Sequence, residues 1–358
     1  MKNIFLVKSP LQLLNAIEAK HYFQLNDNDC FLIIMGDRKS YPQMMSLATL
    51  DHQWSSIVLM NRVGLFLSNP WFAKKDLGNI DKLRKSFLRS SIFTIRRLNR
   101  LSKTISDVER VFIGDNNNPF MRHFVNSVKH KDTIFLDDGT ATLEIARQRL
   151  EGGLERAPQK LHKKVKLAAK RIFQGLKNHQ ADKVIFFTAY KIEVRKPDQL
   201  IINKFAYLRQ KVRSMNTDDA VYFLGSPLSE VGLMSEKSYV DQLGIVRSKY
   251  AGKDFVYVAH RRESKQKLDV IQKLLDVRVS FFNYPVEYQF AIIGPHPEIV
   301  VSFITSALDN LNIILGDSMR IISFRLLEGS YANKDRINAI YDHYQSNSSD
   351  FFKVKTLE

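Results

Sequence analysis

Residues 254–264 read DFVYVAHRRES, and this stretch decides the fold class. Its first six residues are mostly apolar and β-prone, as in a strand that is buried on both faces of a sheet. A histidine, two arginines and a glutamate follow where that strand ends. Ligands of open parallel α/β sheets bind beyond the carboxyl ends of the strands. The stretch therefore predicts a parallel-sheet domain with a polar site at one edge.

Short β-prone runs of the same kind alternate with longer helical stretches along the rest of the chain. The first series comprises residues 4–7, 31–35, 56–60, 110–114, 133–137 and 184–188. The second series comprises residues 220–225, 254–259, 277–282, 288–294, 298–303 and 319–324. Strands separated by helices indicate parallel sheets. Two series predict an α/β protein of two doubly wound, Rossmann-like domains facing a central cleft.

The seam between the two series lies near residues 190–220, which are polar and lack a clear strand. We therefore expect an N-terminal domain over residues 1–200, which includes two basic helical segments, and a second domain over residues 215–330. Residues 331–358 are expected to form a C-terminal helix and tail that can cross back to the N-terminal domain.

The formal net charge of +17 is concentrated in those two basic segments. Residues 82–103 hold eight basic residues and no acidic one, and residues 147–178 hold ten basic and two acidic ones. Each segment contributes +8, so the remainder of the chain is close to neutral. We expect the segments to meet an anionic membrane surface. Nucleic acid is not expected, because aromatic–basic interleaving, zinc-ligand spacing and a recognition-helix pattern are missing from the sequence.

The first basic segment has the pattern of an amphipathic helix. Its apolar stripe consists of Leu88, Ile92, Ile95 and Leu98, and the arginines largely off that stripe are Arg89, Arg96, Arg97 and Arg100. Such a helix can lie on an anionic membrane. A solvated helix whose apolar stripe belongs to the protein core has the same pattern, so both interpretations stay open.

Cysteine usage and the lack of long apolar runs favour a cytoplasmic protein. Cys30 is the sole cysteine, so no intramolecular disulfide can form. The apolar run within the first ten residues is too short for a signal peptide. No stretch reaches the roughly 18 apolar residues of a membrane span.

Two carboxylates follow the β-prone run at 133–137. Asp137 and Asp138 stand where that strand ends, and Gly139 allows a tight turn before the next helix. A carboxylate held there is suited to accept a proton from an attacking hydroxyl. A turn or a helix cap would use the same residues, because Asp-Gly is a common turn signal. The pattern is not a DxD metal motif, and no metal site is predicted.

Two groups in the second half have the chemistry of a phosphate site. His260, as an imidazolium, and the guanidinium of Arg262 would form charge-assisted bonds to phosphate oxygens. Arg261 lies between them, and a surface basic loop paired with Glu263 is the alternative interpretation. The hydroxyls of Ser302, Thr305 and Ser306 stand where a strand meets a helix and could cradle a phosphate, although helix caps use the same residue types.

A carboxylate and a His-Pro pair lie between these two groups in the sequence. Glu287, in YPVEY at 284–288, could hold the two ribose hydroxyls of a nucleotide. His296 and Pro297 lie in a run that we interpret as a structural turn between two strands.

Taken in order, these motifs resemble those of the bacterial sialyltransferases of the lipooligosaccharide and capsule polysialyltransferase type, glycosyltransferase families 52 and 38. The family pattern is an acidic-acidic-Gly motif, a His-centred motif, a carboxylate and a Ser-rich motif. The opening run VKSPLQLLNAIEA at 7–19, which contains Ser9 and Gln12, is also similar to the start of the lipooligosaccharide enzymes. The order of the motifs covers most of the chain, although each motif is short.

The resemblance implies a GT-B fold and an inverting, metal-independent transfer of a nonulosonic acid from a CMP-sugar to a lipooligosaccharide or capsule acceptor. Asp138 would take the acceptor proton while Asp137 tunes or positions it. His260 would donate to the leaving phosphate, and Glu287 would hold the ribose. Ser9 and Gln12 would contribute to substrate binding. No cofactor is implied, the enzyme would sit peripherally at the inner face of the bacterial inner membrane, and a homodimer is left open.

The chain departs from the family pattern at two places, and other functions stay open. The His motif reads His260-Arg261 where the family commonly has His-Pro, and Thr305-Ser306 replaces a pair of serines. The 46-residue gap from His260 to Ser306 suits the family arrangement better than a motif at His296. The alternatives are a UDP-hexose-dependent lipopolysaccharide glycosyltransferase, a capsule polymerase and a basic nucleic-acid-binding protein.

Overall fold

The computed structural model describes residues 1–36, 40–50, 54–60, 87–152, 175–212 and 216–357, with the backbone alone for residues 87–92 and 140. The chain divides into two compact units, Met1–Asn203 and Lys204–Glu358. Each unit is built around one parallel sheet.

The first unit contains a seven-stranded sheet in the order β3-β2-β1-β4-β5-β6-β7, with every neighbouring pair parallel. Its strands are β1 (Lys2–Val7), β2 (Cys30–Ile34), β3 (Ser56–Leu59), β4 (Val108–Ile113), β5 (Asp132–Leu136), β6 (Ile185–Thr188) and β7 (Gln199–Ile202). Its helices are α1 (Pro10–Tyr22), α2 (Tyr41–Thr49), α3 (Phe87–Thr104), α4 (Pro119–Val125) and α5 (Thr140–Leu150).

The central strands of this sheet are apolar on both faces because both faces are covered. Phe5 on β1 is fully buried and stacks on Phe112 of β4, with ring centroids 4.1 Å apart. Ile4 and Leu6, which point to the opposite face, are buried as well and join the core that includes Val111. Burial on both sides removes the polar–apolar alternation of a one-sided sheet, so these strands read as continuous apolar runs.

The second unit contains a six-stranded parallel sheet in the order β10-β9-β8-β11-β12-β13. Its strands are β8 (Thr217–Leu224), β9 (Phe255–Val258), β10 (Arg278–Ser280), β11 (His296–Ser302), β12 (Arg320–Phe324) and β13 (Phe352–Lys355). Its helices are α6 (Ala206–Val212), α7 (Glu236–Ser248), α8 (Lys265–Leu275), α9 (Val286–Tyr288), α10 (Ser306–Leu315) and α11 (Lys334–Ser346). Counted within the unit, this is the 3-2-1-4-5-6 order of the doubly wound fold.

One predicted strand is wrong and two strands were missed. Residues 288–294 are helical, because α9 follows Pro285 and continues into a π-helical turn over Gln289–Ile293. A short apolar run does not distinguish a buried helix from a buried strand. Strands β7 and β13 lie in stretches where polar and apolar residues mix, and both are edge strands of their sheets.

The C-terminal segment is part of the second unit, and the expected crossing back to the first domain stays a prediction. Strand β13 pairs with β12. From α11, the Tyr344 hydroxyl donates to the Thr305 carbonyl oxygen at 2.8 Å, and the Tyr341 hydroxyl donates to the Phe324 carbonyl oxygen at 3.1 Å. The unit boundary also falls at residue 204, inside the predicted seam.

Only part of the two basic segments is described. In α3, Ile95 and Leu98 are buried while Arg96 and Arg100 are exposed. These two apolar residues therefore pack in the core of the first unit. Their burial agrees with the interpretation of a solvated helix whose apolar stripe belongs to the protein core. Residues 82–86 and 153–174, and the side chains of Leu88, Arg89 and Ile92, lie outside the described residues.

His123 connects the described ends of both basic segments. This fully buried residue of α4 donates from Nε2 to the Asn99 side-chain oxygen at 3.1 Å and accepts the backbone N–H of Lys177 at Nδ1, at 3.0 Å. The bond at Nδ1 requires a neutral ring, because both nitrogens of a protonated ring are donors. Burial, with a smaller effect of the Lys177 charge, lowers the pKa of His123 to about 4.

We predict that His123 makes the first unit sensitive to mild acid. Between pH 6.5 and about 4 the unfolded chain binds a proton at this position and the folded chain does not, so folding stability falls as the pH falls. The slope from this residue is about 1.4 kcal/mol per pH unit. The stability advantage of the parent over His123→Gln should be constant above pH 7 and shrink below it in urea unfolding. A difference that is independent of pH would contradict this account.

Candidate active site

Asp137 is the anchored member of the carboxylate pair that follows β5. Its Oδ1 accepts the backbone N–H of Gly139 at 2.9 Å and the hydroxyl of Thr142 at 3.0 Å. Its Oδ2 accepts the hydroxyl of Thr188 at 2.7 Å and the N–H of Ala189 at 3.1 Å. Burial raises the pKa of Asp137, and these four donors oppose that shift. The side chain thus fastens the loop after β5 to the loop after β6.

Asp138 has a different environment, although it is the next residue. Its backbone N–H donates to the Thr142 hydroxyl at 2.8 Å. Burial raises the pKa of the Asp138 carboxyl to about 6, with the Gln12 side chain and the Lys8 charge lowering it and the Asp115 charge raising it further. A carboxylate that titrates close to neutral pH is suited to general-base work.

Lys8 and Asp115 were not predicted as site residues. Lys8 directly follows β1, and its ammonium forms an ion pair with the buried Asp115 carboxylate, which lies two residues beyond the end of β4. The N–H of Asn117 donates to the other Asp115 oxygen at 2.8 Å. Strands β1 and β4 flank the point where strand order reverses, which is where ligands bind in doubly wound folds. Charged residues just after two predicted strands were the signal that could have identified them.

The residues of the opening run hold this edge of the sheet together. Ser9 caps α1, and its hydroxyl accepts the Gln12 N–H at 3.3 Å. The fully buried Gln12 accepts the Lys8 N–H at its Oε1, at 2.8 Å. Within the described part of the chain, Gln12 Nε2 has no hydrogen bond of ordinary length, but the side chain lies close enough to Asp138 to favour the ionised carboxylate.

Gly114 makes this packing of Gln12 feasible. A Cβ atom at position 114 would lie 2.3 Å from Gln12 Oε1 and 2.5 Å from its Cδ. Real Cβ atoms do not approach other atoms this closely. The absence of a side chain at Gly114 is therefore what leaves room for Gln12 beside Asp138.

In the second unit, His260 lies just beyond the carboxyl end of β9. Its backbone N–H donates to Glu263 Oε2 at 2.7 Å, and its Nδ1 accepts the Arg262 N–H at 3.2 Å. The ring proton is therefore on Nε2. Burial, followed by the charges of Arg261 and Arg262, lowers the pKa of His260 to about 4. With this pKa the ring is neutral at neutral pH and offers one N–H donor, and a charge-assisted bond from His260 to a phosphate stays a prediction.

The side chains around His260 differ from the alternative of a loop paired with Glu263. Arg261 and Arg262 are exposed, whereas the Glu263 carboxylate is buried and accepts the Tyr257 hydroxyl at 2.6 Å and the Lys267 ammonium at 2.8 Å. The two guanidiniums thus stay at the surface beside the imidazole.

The three hydroxyl residues at the end of β11 and directly after it have three different roles in the structure. Ser302 is fully buried and donates to the Leu224 carbonyl oxygen at 2.7 Å, so it connects neighbouring strands. Thr305 caps α10, and its Oγ1 accepts the Ala307 N–H at 3.3 Å. Ser306, the first residue of α10, is exposed. Thr305 and Ser306 lie at the edge that His260 shares, and Ser302 lies beneath it.

Glu287 and His296 are both buried. Glu287 Oε1 accepts the Asn310 side-chain N–H at 2.7 Å, and burial raises the pKa of this carboxyl while Asn310 lowers it. His296 is the first residue of β11, with its ring nitrogens 3.3 Å from the carbonyl oxygens of Phe290 and Ser318. Because the strands are parallel, His296 lies at the amino-terminal edge of the sheet and His260 at the carboxyl edge.

The described residues lack two features of other protein classes. They contain no group of three or more His, Cys, Asp or Glu side chains placed to hold a metal ion. None of the described helices is both long and apolar enough to cross a bilayer.

Sequence comparison gives no relatives, because no protein-family model and no curated protein matches the chain. Solved structures do match. A putative UDP-N-acetylglucosamine 2-epimerase from Listeria monocytogenes has a TM-score of 0.50 and 9% identity, over 95% of this chain and 82% of its own. MurG from Acinetobacter baumannii has a TM-score of 0.42 and 9% identity, over 99% and 86% of the two chains. The E. coli heptosyltransferase WaaC with ADP has a TM-score of 0.39 and 10% identity, over 96% of this chain and 97% of its own.

At such identities a structural likeness concerns the fold and not the activity. Both units of the chain are doubly wound parallel sheets with helices between the strands. The match at a TM-score of 0.50 covers nearly the whole chain, across both units. The chain therefore has the two-domain, Rossmann-like GT-B fold.

Proposed function

We propose that the chain is an inverting, metal-independent glycosyltransferase that moves a nonulosonic acid from a CMP-sugar to a hydroxyl of a lipooligosaccharide or capsule glycan. The observation that carries this proposal is Asp138, a carboxylate on the loop after β5 and near Lys8 and Asp115, whose pKa burial raises to about 6. Near neutral pH such a group is ionised and still basic enough to accept a proton from an attacking hydroxyl.

The division between the two adjacent carboxylates supports this role. Asp137 already accepts four hydrogen bonds, so it holds the loop in place and has little capacity left for a substrate proton. Asp138 is placed by Thr142 through its backbone and is left to react. Gln12, with a buried amide N–H beside Asp138, would act on the acceptor through that carboxylate. Ser9 acts through the cap that begins α1.

The second unit supplies the donors for the leaving phosphate in this proposal. His260 donates from Nε2, and the exposed guanidinium of Arg262 adds charge. Thr305 uses its oxygen as a cap but can still donate its hydroxyl proton, and Ser306 is exposed beside it. Fixed donors aimed at a developing phosphate charge can provide much of the rate enhancement. We leave Ser302 out, because its proton is given to Leu224.

The choice of a CMP-nonulosonate rests on the order of the motifs at 137–139, 260, 287 and 302–306 and on their resemblance to the sialyltransferases. A ribose-binding role for Glu287 stays part of this proposal; it requires the oxygen that Asn310 leaves available. Contact with an anionic membrane, a cytoplasmic location and a homodimer stay predictions. Ile95 and Leu98 of the apolar stripe are buried and so do not support the membrane prediction.

A panel of nucleotides and nucleotide sugars tests the function. CMP, CMP-nonulosonates, UDP, UDP-hexoses and UDP-N-acetylhexosamines should each be scored for thermal stabilisation and for donor hydrolysis. We expect stabilisation and hydrolysis with the CMP compounds alone. A response to UDP compounds alone would mean that the donor is a UDP-sugar and not a CMP-sugar. Binding of DNA or RNA that survives physiological salt, without any nucleotide response, would overturn the enzyme proposal.

Asp138→Asn should reduce turnover by roughly 10²-fold or more, because the amide keeps the size of the side chain but cannot accept the proton. CMP affinity, which depends on the second unit in this proposal, should barely change. Steady-state transfer and CMP titration measure the two effects. Near-normal turnover would remove Asp138 from the mechanism.

The rate should also follow the ionisation of Asp138. Since the raised pKa is about 6 and the ionised form is the base, kcat/KM should fall about tenfold per pH unit below 6 and level off above it. Asp115→Asn removes a charge that raises this pKa and leaves Lys8, which lowers it. The acid limb of the profile should therefore move to lower pH in this variant, and a limb that stays in place would contradict the assignment.

Gly114→Ala should lower turnover by roughly 10²-fold, because its Cβ displaces the Gln12 side chain beside Asp138 and small misplacements at reacting groups have effects of this size. The substitution adds one methyl group and removes no polar side chain of the site. Gly244→Ala, in helix α7 of the second unit, is the matched control and should retain parental activity. Equal activities for both variants would show that the position of Gln12 is unimportant.

A further inference from the structure

Lys267 is a fully buried lysine beneath the His260 loop. It lies in the first turn of α8, and its ammonium is 2.8 Å from Glu263 Oε1 and 3.4 Å from Glu230 Oε2. The ammonium also donates to the Ser226 carbonyl oxygen at 3.1 Å and lies 3.7 Å from the ring centroid of Tyr239. Lysines are almost never fully buried unless they are paired, and this one is enclosed by two carboxylates, a carbonyl and an aromatic face.

These contacts join the loops that follow three strands of the second sheet. Glu263 belongs to the loop after β9 and accepts the N–H of His260 through its second oxygen. Ser226 belongs to the loop after β8, and its hydroxyl donates to the Ile304 carbonyl oxygen in the loop after β11 at 2.6 Å. Lys267 therefore connects the backbone around His260 to the backbone that precedes Thr305.

A chain of hydroxyls completes the network from the other side. The Ser226 N–H donates to the Tyr239 hydroxyl at 3.2 Å, which lies 2.9 Å from the Tyr257 hydroxyl. Tyr257 donates to Glu263 at 2.6 Å, so Tyr239 is the donor in the bond between the two tyrosines. Each hydroxyl has a defined direction, and buried networks that are fully satisfied in this way rigidify the groups attached to them.

The network is packed without free space on the side of β8. Gly225 directly follows that strand, and a Cβ there would lie 2.4 Å from Glu263 Oε2 and 2.7 Å from the Tyr257 hydroxyl. The loop after β8 thus rests directly on the carboxylate that holds His260.

Stability alone does not account for a buried charge at this place. Replacing a buried ion pair with apolar side chains of similar volume is often neutral or stabilising. The pair lies at the carboxyl edge of the sheet, next to the point between β8 and β11 where the strand order reverses. That is the edge where the proposed function puts the leaving phosphate, and preorganised donors there are the largest single contribution in many enzymes.

We propose that Lys267 and Glu263 are positioning residues that fix His260 and the backbone before Thr305 in one geometry for a nucleotide phosphate. The role rests on the proposed function of the second unit, and it adds two residues that do not themselves contact the donor. Neither was apparent from the sequence, where Lys267 is one basic residue of an amphipathic helix.

The test compares Lys267→Met with Lys273→Met, an exposed lysine on the same helix. The buried variant keeps the aliphatic chain and removes the charge and its donors. We expect donor kcat/KM to fall roughly 10²-fold and the dissociation constant of CMP to rise, while the exposed variant matches the parent. The His260 ring resonances, assigned with His260→Gln and titrated in the absence of nucleotide, should shift in position and in apparent pKa in Lys267→Met alone.

Glu263→Gln provides a second variant in case Lys267→Met does not fold. It keeps an oxygen for the His260 N–H but leaves Lys267 without its closest counter-charge, so donor kcat/KM should fall as in Lys267→Met. The apparent pKa of His260 should move in the opposite direction to that in Lys267→Met, because a negative charge is removed and not a positive one. The titration of His260 needs no substrate, so it judges the positioning role even if neither CMP nor UDP compounds bind and the proposed function fails. The proposal is overturned if the folded variants keep the parental apparent pKa of His260 and a donor kcat/KM within twofold of the parent. A lower melting temperature alone would not rescue it.

Discussion

The reversal of strand order is the constraint on which both units depend. In the first sheet β2 and β4 lie on opposite sides of β1, and in the second sheet β9 and β11 lie on opposite sides of β8. Right-handed crossovers then send the helices to opposite faces of the sheet. The loops after the two central strands diverge, and polar side chains can gather between them without interrupting the core. Gln12, Thr305 and Ser306 stand on the loops or helices that follow these central strands, and Asp138 and His260 follow the neighbouring strands β5 and β9.

The buried charged groups at the carboxyl edges of the two sheets have opposite signs. In the first unit, one carboxylate receives four hydrogen bonds and its neighbour is left buried with a pKa near 6. In the second unit, a buried ammonium is surrounded by acceptors and the imidazole above it is kept neutral. One edge therefore offers a base and the other offers hydrogen-bond donors. The difference arises from local burial and hydrogen bonding, since both sheets have the same architecture.

The sequence was informative for strands that are buried on both faces, because each of them appears as a short, continuous apolar run. Central strands such as β1, β5 and β9 appeared as apolar runs, and Asp138 and His260 were found because each directly follows one. Strands β7 and β13 were missed because their sequences, QLII and FKVK, are short and include polar residues. The ion pair of Lys8 with Asp115 was not apparent because its members are 107 positions apart in the chain. The opposite roles of Asp137 and Asp138 depend on Thr188 and Ala189, which only the fold brings to them.

The two glycines at the sheet edges have a consequence for comparing this chain with others. Gly114 and Gly225 each follow a central strand directly, and each lies where a single methyl group would overlap a polar group of the site. Neither needs a positive φ angle, so the backbone itself would accept alanine. A related chain with a larger residue at either position must have repacked the side chain beneath it. The residues at these two positions can be compared from sequence alone. A glycine at each of them would indicate that a distant relative retains the same site geometry in the corresponding unit.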